Sequence, residues 1–182
     1  MIYIFLATGF EEVEALAPAD ILRRAGVEVQ LVGVGSKTIT GSHGISVVCD
    51  AVDSDISFNS GLQGIFLPGG MPGTLNLEKS ATVNKAIDYC LENGLLITAI
   101  CAAPSILGHR GILNGKNAVC FPGFESELTG AVLSDKFICE DGNIMTAKGM
   151  GSAVEFGTRI AARLVGAEKA KAVHDSLQIY HD

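Results

Sequence analysis

Apolar runs alternate with amphipathic segments along most of this chain. Short, almost wholly apolar runs are typical of parallel strands that are buried on both faces of a sheet. Together with one partly alternating stretch, they predict strands at residues 2–7, 27–34, 64–67, 95–100 and 118–121. Apolar positions three and four residues apart predict helices at residues 11–25, 76–91, 152–165 and 167–179, and a weak helix at 125–132.

Two segments are predicted to be β-hairpins that lie outside this alternation. A glycine-containing turn lies inside residues 39–48, and a polar turn lies inside residues 137–147. The helix predicted at 11–25 carries acidic residues in its first turn and two arginines in its last, and both arrangements suit the helix dipole. Pro18 lies inside this helix, where we expect it to kink or split the helix.

Strands that alternate with helices and end in glycines predict an α/β fold, a doubly wound and mostly parallel sheet with helices on both faces. We expect residues 1–182 to form one domain, since no linker, repeat or low-complexity tract interrupts them. In such sheets, ligands bind beyond the carboxyl ends of the strands. Thr8-Gly9, Gly69-Gly70 and Cys101 all come at predicted strand ends, so we expect these three segments to meet.

Cys101 lies between the apolar run 95–100 and residues that begin a helix, with Pro104 suited to the first helical turn. Ala99 and Ala103 lie two residues before and after it, as in a nucleophile elbow in which cysteine replaces serine. The N-terminus of the following helix favours a thiolate of low pKa or an oxyanion. The alternative is a buried core cysteine, because free cysteine is among the most buried residue types.

Glu14 lies in the opening turn of the first predicted helix, beside Glu11 and Glu12. One acid of this cluster can point over the sheet edge toward Cys101. A carboxyl group in an apolar pocket has a raised pKa, so it can stay protonated and pass a proton during an addition reaction. The alternative is that all three acids only complement the helix dipole.

Backbone donors are expected at the same edge of the sheet. Gly69 and Gly70 offer N–H groups at a strand end, and with the N–H of Ala102 they predict an oxyanion hole. The alternative is a turn that only needs a positive φ. The chain has neither a G-x-G-x-x-G nor a Walker motif, so we expect no nucleotide cofactor.

None of the four histidines adjoins Cys101, so the spacing shows no Cys-His-Asp triad. His43 lies in the predicted hairpin loop, from which it can reach a site, including that of a partner subunit. We expect His109, His174 and His181 to be structural or solvated.

Composition narrows the class of protein. The 182 residues carry 13 lysines and arginines against 20 acidic residues, a formal charge of -7. An acidic chain without a basic run gives no support for nucleic-acid binding, and no apolar run is long enough to span a bilayer. The first residues lack a positively charged flank, so we expect no signal peptide. Five cysteines at wide spacings, with no C-x-x-C, suggest reduced thiols in a cytosol and no metal site.

Four segments, taken in chain order, resemble the ThiJ/PfpI superfamily, which has a class I glutamine amidotransferase-like domain. They are most similar to its branch that contains the parkinsonism-associated deglycase and bacterial YajL-like proteins. The resemblance covers nearly the whole chain, and the combination is far more specific than any one segment. The four segments are Phe10-Glu11-Glu12-Val13-Glu14, Leu67-Pro68-Gly69-Gly70, Ala99-Ile100-Cys101-Ala102-Ala103-Pro104 and Lys148-Gly149-Met150-Gly151.

The resemblance implies a flavodoxin-like fold and a homodimer, with Arg24 near the dimer contact. It also implies that Cys101 is nucleophilic and easily oxidised, and that a protonated Glu14 is hydrogen-bonded to it. The N–H groups of Gly70 and Ala102 are implied to form the oxyanion pocket.

The chain departs from the superfamily at two positions. Ala102 follows the cysteine where protease-like members carry a histidine, which argues against a peptidase. Phe121, before Pro122, stands at the implied pocket where some members of the deglycase branch carry a histidine. A histidine that helps proton transfer is then missing, which argues against fast turnover.

Residues and resemblance together predict a cytosolic glyoxalase or deglycase without a cofactor. We expect it to act on 2-oxoaldehydes such as methylglyoxal, free or as early glycation adducts, through a Cys101 hemithioacetal with Glu14 as proton relay. The main alternative is a redox sensor or oxidative-stress chaperone that uses an oxidisable Cys101. A thiamine-pathway role is suggested by family names only. The expected partners are the small aldehyde or glycated substrate and a second copy of the chain.

Overall fold

The computed structural model describes residues 1–179, which form eleven strands and six helices. The strands are β1 (Ile2–Leu6), β2 (Val29–Gly33), β3 (Thr38–Thr40), β4 (Ser46–Val48), β5 (Ala51–Val52), β6 (Gly64–Leu67), β7 (Leu96–Ile100), β8 (Asn117–Ala118), β9 (Val132–Leu133), β10 (Ile138–Asp141) and β11 (Ile144–Ala147). The helices are α1 (Glu12–Arg24), α2 (Gly73–Lys79), α3 (Ala81–Glu92), α4 (Pro104–His109), α5 (Ala153–Val165) and α6 (Ala167–Ser176). None of these helices has the length and apolar character that a bilayer crossing requires.

A seven-stranded sheet in the order β10-β11-β7-β6-β1-β2-β5 forms the middle of the fold. Neighbouring strands in it are parallel, except that β10 runs antiparallel to β11. In the central register, Ile4 of β1 lies opposite Leu31 of β2 and Phe66 of β6. The prediction of a mostly parallel sheet is confirmed, with one antiparallel strand at its edge.

Alternate residues of β1 face two different layers of helices, as the twofold period of a strand requires. Ile2, Ile4 and Leu6 pack in the core formed with α1, α5 and α6. Tyr3 and Phe5 pack in a second core formed with α2, α3 and α4. Because all five are buried, β1 is covered on both faces, and the predicted doubly wound arrangement is confirmed.

Helix α1 is continuous through Pro18, so of the two predicted effects, a kink or a split, the split does not occur. Pro18 is buried where α1 packs closely against α5. A Cβ atom at Gly157 of α5 would lie 2.9 Å from the Cα of Pro18, so only glycine allows this approach. Close packing between the two helices offsets the hydrogen bond that proline cannot make.

The single helix predicted at 76–91 is two helices, α2 and α3, which are separated at Ser80. The backbone of Ser80 is extended, and its hydroxyl accepts a hydrogen bond from the N–H of Val83 at 3.3 Å, as an N-cap does. The last helix is also shorter than predicted, since α6 ends at Ser176.

The weak helix predicted at 125–132 is wrong. Only a single 3₁₀ turn forms there, at Glu125–Glu127, and Val132 belongs to β9. Gly130 lies between them with a φ of 75°, a left-handed conformation that does not continue a right-handed helix.

The strand predicted at 118–121 is reduced to β8, which ends at Ala118. The N–H of Val119 donates to the hydroxyl of Thr146 at 2.9 Å, so it is not available to a neighbouring strand. Both predicted hairpins are confirmed, as the antiparallel pairs β3–β4 and β10–β11. Strand β5 is too short to have shown a pattern in the sequence.

Candidate active site

Three loops meet at the carboxyl ends of β1, β6 and β7, as predicted. The N–H of Glu11 donates to the carbonyl oxygen of Gly69 at 2.9 Å, which joins the loop after β1 to the loop after β6. A Cβ atom at Gly69 would lie only 2.6 Å from the Cβ of Cys101, which directly follows β7. The close contact of the three loops therefore requires glycine at position 69.

Cys101 occupies a strained turn between β7 and α4. Its φ is 65°, in the left-handed region that residues with a side chain rarely adopt. Two backbone hydrogen bonds hold it there, from its own N–H to Ala147 at 2.9 Å and from the N–H of Phe121 to its carbonyl oxygen at 2.8 Å. The side chain is half-buried, and the predicted position of Cys101 on the turn between a strand and a helix is confirmed.

The carboxyl group of Glu14 lies against the thiol of Cys101. Glu14 is on α1 and is only 1% exposed. One carboxyl oxygen accepts a hydrogen bond from the N–H of Gly69 at 3.0 Å, and the carboxyl group also shares hydrogen bonds with the Cys101 thiol and the N–H of Met150. Burial raises the pKa of Glu14 from 4.5 to about 7, although these hydrogen bonds act in the opposite direction.

The thiol of Cys101 does not have the low pKa expected from the sequence. Burial, and after it the Glu14 carboxylate, raise its pKa from 9.0 to about 12, whereas the N–H groups of Ala102 and Gly70 lower it. Helix α4 is too short to reverse this with its dipole, since it spans only Pro104–His109. The pair as a whole therefore loses its first proton near pH 7 and its second near pH 12.

Two of the three predicted backbone donors reach the sulfur. The N–H groups of Gly70 and Ala102 stabilise negative charge on Cys101. The N–H of Gly69 is directed at Glu14 instead, so its placement in the oxyanion hole does not agree with the structure. Gly70 has a φ of 88°, and a Cβ atom there would lie 2.3 Å from the N of Glu11, so no other residue fits this position.

His43 and His109 lie in hydrogen-bonded clusters with carboxylate groups. The ring of His43 lies 3.2 Å from carboxylate oxygens of both Glu11 and Glu12, and its side chain is 71% exposed. His109 joins α4 to its surroundings through Glu78 at 2.5 Å and Glu127 at 2.8 Å. His174 lies 3.9 Å from Glu155, and His181 lies outside the described residues.

The cluster of Glu11, Glu12 and His43 contains three atoms of a kind that can bind a metal, within 4.8 Å of one another. One oxygen of Glu12 already accepts from the N–H groups of His43 at 2.8 Å and Ile45 at 3.3 Å. These hydrogen bonds give the cluster a structural role, in which Glu12 holds the β3–β4 hairpin against α1.

Phe121 and Arg24 lie in different surroundings. The ring of Phe121 is near the site, because a Cβ atom at Gly149 would lie 3.2 Å from it and 3.7 Å from Glu14. Arg24 is exposed at the end of α1 and pairs with Asp20 at 2.6 Å.

Sequence reasoning missed the part of the site formed by residues 148–151. A Cβ atom at Gly149 would lie 3.7 Å from a carboxyl oxygen of Glu14, and the N–H of Met150 donates to that carboxyl group. The only signal for them was the segment Lys148-Gly149-Met150-Gly151, which carried part of the family resemblance but no assigned role. Phe137, which lines a groove next to this segment, had no signal at all.

Comparisons with known proteins agree with this architecture. A model described as the DJ-1/PfpI family matches residues 1–163. Protein dj-1beta of Drosophila melanogaster is 32% identical over 182 residues, which are 98% of this chain and 97% of that protein. The glutathione-independent glyoxalase DJR-1.2 of Caenorhabditis elegans is 30% identical over 166 residues, 90% of this chain and 87% of that protein.

The solved structures include Toxoplasma gondii DJ-1 in an oxidized form. It superposes with a TM-score of 0.91 at 30% identity, and the match covers 99% of this chain and 98% of that one. The likeness thus extends over both helix layers and the three loops that meet at Cys101. From the matched length and the shared fold, this chain belongs to the DJ-1/PfpI family.

Proposed function

We propose that this protein is a glyoxalase or deglycase that uses Cys101 as its nucleophile and needs no cofactor. Its substrates are 2-oxoaldehydes such as methylglyoxal, free or as early glycation adducts. The observation that carries the proposal is the buried hydrogen bond between Glu14 and Cys101, with the N–H groups of Gly70 and Ala102 at the same sulfur. It agrees with the name of the nematode relative, a glutathione-independent glyoxalase.

In the first step, the sulfur of Cys101 adds to the aldehyde carbon. The thiol proton passes to the Glu14 carboxylate as the S–C bond forms, and the π electrons of the carbonyl move to its oxygen. The N–H groups of Gly70 and Ala102 stabilise the charge that develops on that oxygen. Glu14 then gives its proton to the oxygen, and the product is a neutral hemithioacetal.

In the second step, Glu14 moves a proton between the two carbons of the substrate. Its carboxylate takes the hydrogen of the former aldehyde carbon as a proton, which leaves an enediolate, and returns the proton to the neighbouring keto carbon. The hydroxyl proton of the hemithioacetal passes to the oxygen of that second carbon, so charge and atoms balance. The first carbon is thereby oxidised to a thioester and the second is reduced to an alcohol, so no external oxidant is needed. Water hydrolyses the thioester, releases a 2-hydroxy acid and restores the thiol.

The experiment that tests this function is the formation of lactate from methylglyoxal by the purified protein. We expect Cys101→Ala to abolish it, because no other group forms the hemithioacetal. The matched control is Cys139→Ala, which removes a buried cysteine on β10 and should retain activity. Lactate formation by Cys101→Ala at the wild-type rate would reject the proposal.

Oxidation of Cys101 to a sulfinic acid is a second candidate function, favoured by the same contacts. A neutral Glu14 can donate to one sulfinic oxygen, and the N–H groups of Gly70 and Ala102 can donate to the group as well. The Toxoplasma gondii relative has been solved in an oxidized form. Reaction of Cys101 with peroxide at a rate well above methylglyoxal turnover would favour this role, as a redox sensor or stress chaperone.

We also propose a cytoplasmic homodimer. The five free cysteines suit a reducing compartment. Val13 on α1 and Ile45 and Val48 on the β3–β4 hairpin are exposed apolar side chains, and Arg24 ends the same helix. This face is suited to a second copy of the chain, since such side chains gain by removal from water.

A further inference from the structure

An apolar groove of about 930 Å³ adjoins the candidate active site. Its apolar lining comes from three parts of the chain, namely Phe121 and Pro122, Phe137 and Ile138, and Met150. Phe121, Phe137 and Met150 are 47%, 73% and 54% exposed, although side chains of this kind are usually buried. A concave, mostly apolar surface of this volume is typical of a small-molecule site.

The groove lies next to the reacting pair, because some of its lining residues are neighbours of Glu14 and Cys101. Gly149 and Met150 line the groove and lie beside Glu14. A Cβ atom at Gly149 would lie 3.7 Å from a carboxyl oxygen of Glu14, and the N–H of Met150 donates to that carboxyl group. Phe121 lines it too and donates its N–H to the carbonyl oxygen of Cys101 at 2.8 Å. A substituent on a carbon bonded to Cys101 therefore has a direct path into the groove.

Position 149 keeps this path open. A Cβ atom at Gly149 would lie 3.2 Å from the ring of Phe121, so a side chain there would press on the ring and narrow the opening beside Glu14. Glycine leaves the backbone bare at the point where the groove meets the carboxyl group.

Of the four charged side chains that line the groove, three are engaged with one another or with its rim, and the fourth is Lys136. Arg159 pairs with Glu155 at 2.9 Å. The Nζ of Lys148 lies 5.3 Å from the ring centroid of Phe137 and donates to the carbonyl oxygen of Asp135 at 3.2 Å. The surface that remains for an occupant is mainly aromatic and aliphatic.

We infer that this groove holds the substituent of the substrate, and that the preferred 2-oxoaldehydes carry an aromatic ring in place of the methyl group of methylglyoxal. The inference rests on the proposed function, since it names the substrate class of the same site. Methylglyoxal leaves the groove empty. An aromatic ring removes the surfaces of Phe121, Phe137 and Met150 from water and can stack on the two phenylalanines.

The test compares kcat/KM for phenylglyoxal and methylglyoxal, each scaled by the rate at which free glutathione adds to that aldehyde. We expect the wild type to prefer phenylglyoxal by at least about tenfold. Phe137→Ala should lose most of this preference and should fold, because the side chain is exposed. Leu91→Ala, which removes an exposed apolar residue of α3 outside the groove, should keep it. Equal scaled values, or a preference that survives Phe137→Ala, would overturn the inference.

A second measurement separates this inference from the proposed function. Peptide mapping measures the rates at which iodoacetanilide and iodoacetamide alkylate Cys101. Each rate is divided by the rate at which the same reagent alkylates glutathione. In one outcome, the protein turns over neither glyoxal but prefers iodoacetanilide, and Phe137→Ala removes that preference. This outcome would support the groove as the site of an aromatic group and reject the proposed reaction. In the other outcome, the protein turns over methylglyoxal but prefers neither phenylglyoxal nor iodoacetanilide. This outcome would agree with the proposed function and reject the inference.

Discussion

The carboxyl group of Glu14 and the thiol of Cys101 share a hydrogen bond in a pocket that leaves Glu14 only 1% exposed. Burial opposes charge on both groups, so the pair carries one proton and one negative charge between about pH 7 and about pH 12. If the sulfur holds that proton, the Glu14 carboxylate can accept it. If the carboxyl group holds it, the Cys101 thiolate can attack a substrate carbon. The pair can therefore supply a nucleophile near neutral pH without a neighbouring cation.

The first prediction concerns the pH at which Cys101 becomes reactive. In the wild type, alkylation by iodoacetamide should increase as the pH rises through about 7, the value to which burial raises the pKa of Glu14. In Glu14→Leu, the first proton must come from the buried thiol itself, so the increase should move up by at least about 2 pH units. The rate of alkylation against pH measures this shift.

The variant Glu14→Gln separates the two roles of Glu14. Its amide still donates a hydrogen bond to the sulfur, so its pH profile should lie between those of the wild type and Glu14→Leu. Its turnover of methylglyoxal should nevertheless be lost, because an amide relays no proton. If Glu14→Leu changes neither the pH profile nor turnover, Glu14 is only a helix-dipole residue.

The second prediction is that Glu14 makes the protein less stable as the pH rises. Its pKa is about 7 in the folded protein and 4.5 as the ordinary value, so the folded state holds the proton more tightly. That contribution is fully present below about pH 4.5 and is lost as the pH rises through about 7. It amounts to at most about 3 kcal/mol.

Urea unfolding at about pH 5 and about pH 8 measures this effect. The unfolding free energy of Glu14→Gln should increase relative to that of the wild type between the two values, because the amide does not titrate. Glu92→Gln, which changes an exposed glutamate at the end of α3, is the matched control and should show no such gain. A difference between Glu14→Gln and the wild type that does not vary with pH would contradict the prediction.

The third prediction is that limiting iodoacetamide labels Cys101 before any other cysteine. The other four cysteines are buried, whereas Cys101 is half-buried and has Glu14 to take its proton. Burial raises the pKa of Cys49 and Cys120 to about 11 and those of Cys90 and Cys101 to about 12, so exposure and the neighbouring Glu14 carboxylate, not the thiol pKa, distinguish Cys101. Peptide mapping identifies the labelled residue, and earlier labelling of another cysteine would refute the assignment of Cys101 as the reactive thiol.

The fourth prediction is a homodimer that forms through α1 and the β3–β4 hairpin. Sedimentation at micromolar concentration should give the mass of two chains for the wild type. Val48→Asp, at a 69% exposed position of the hairpin, should shift it to one chain, since a charge at an apolar contact is costly to bury. Leu91→Asp, on α3, should leave the dimer intact, and a wild-type monomer under these conditions would disprove the proposal.

The sequence by itself determined which strands lead to the site. The runs at 2–7, 64–67 and 95–100 agree with β1, β6 and β7 to within one residue at each end. A parallel strand buried on both faces must be largely apolar, and that requirement is visible in any one sequence. Since parallel strands end at the same edge, the meeting of the loops that contain Gly69 and Cys101 also followed from the sequence.

The tertiary structure alone decided what the groups at that edge do. Which N–H serves Glu14 and which serves the sulfur depends on loop positions within a few ångströms, and Gly69 was therefore misassigned. The pKa of Cys101 depends on burial and on a carboxyl group 87 positions away in the chain. The groove joins Phe121, Phe137 and Met150, which share no spacing or pattern. Contacts between distant segments carry no local periodicity, so only the folded chain brings them together.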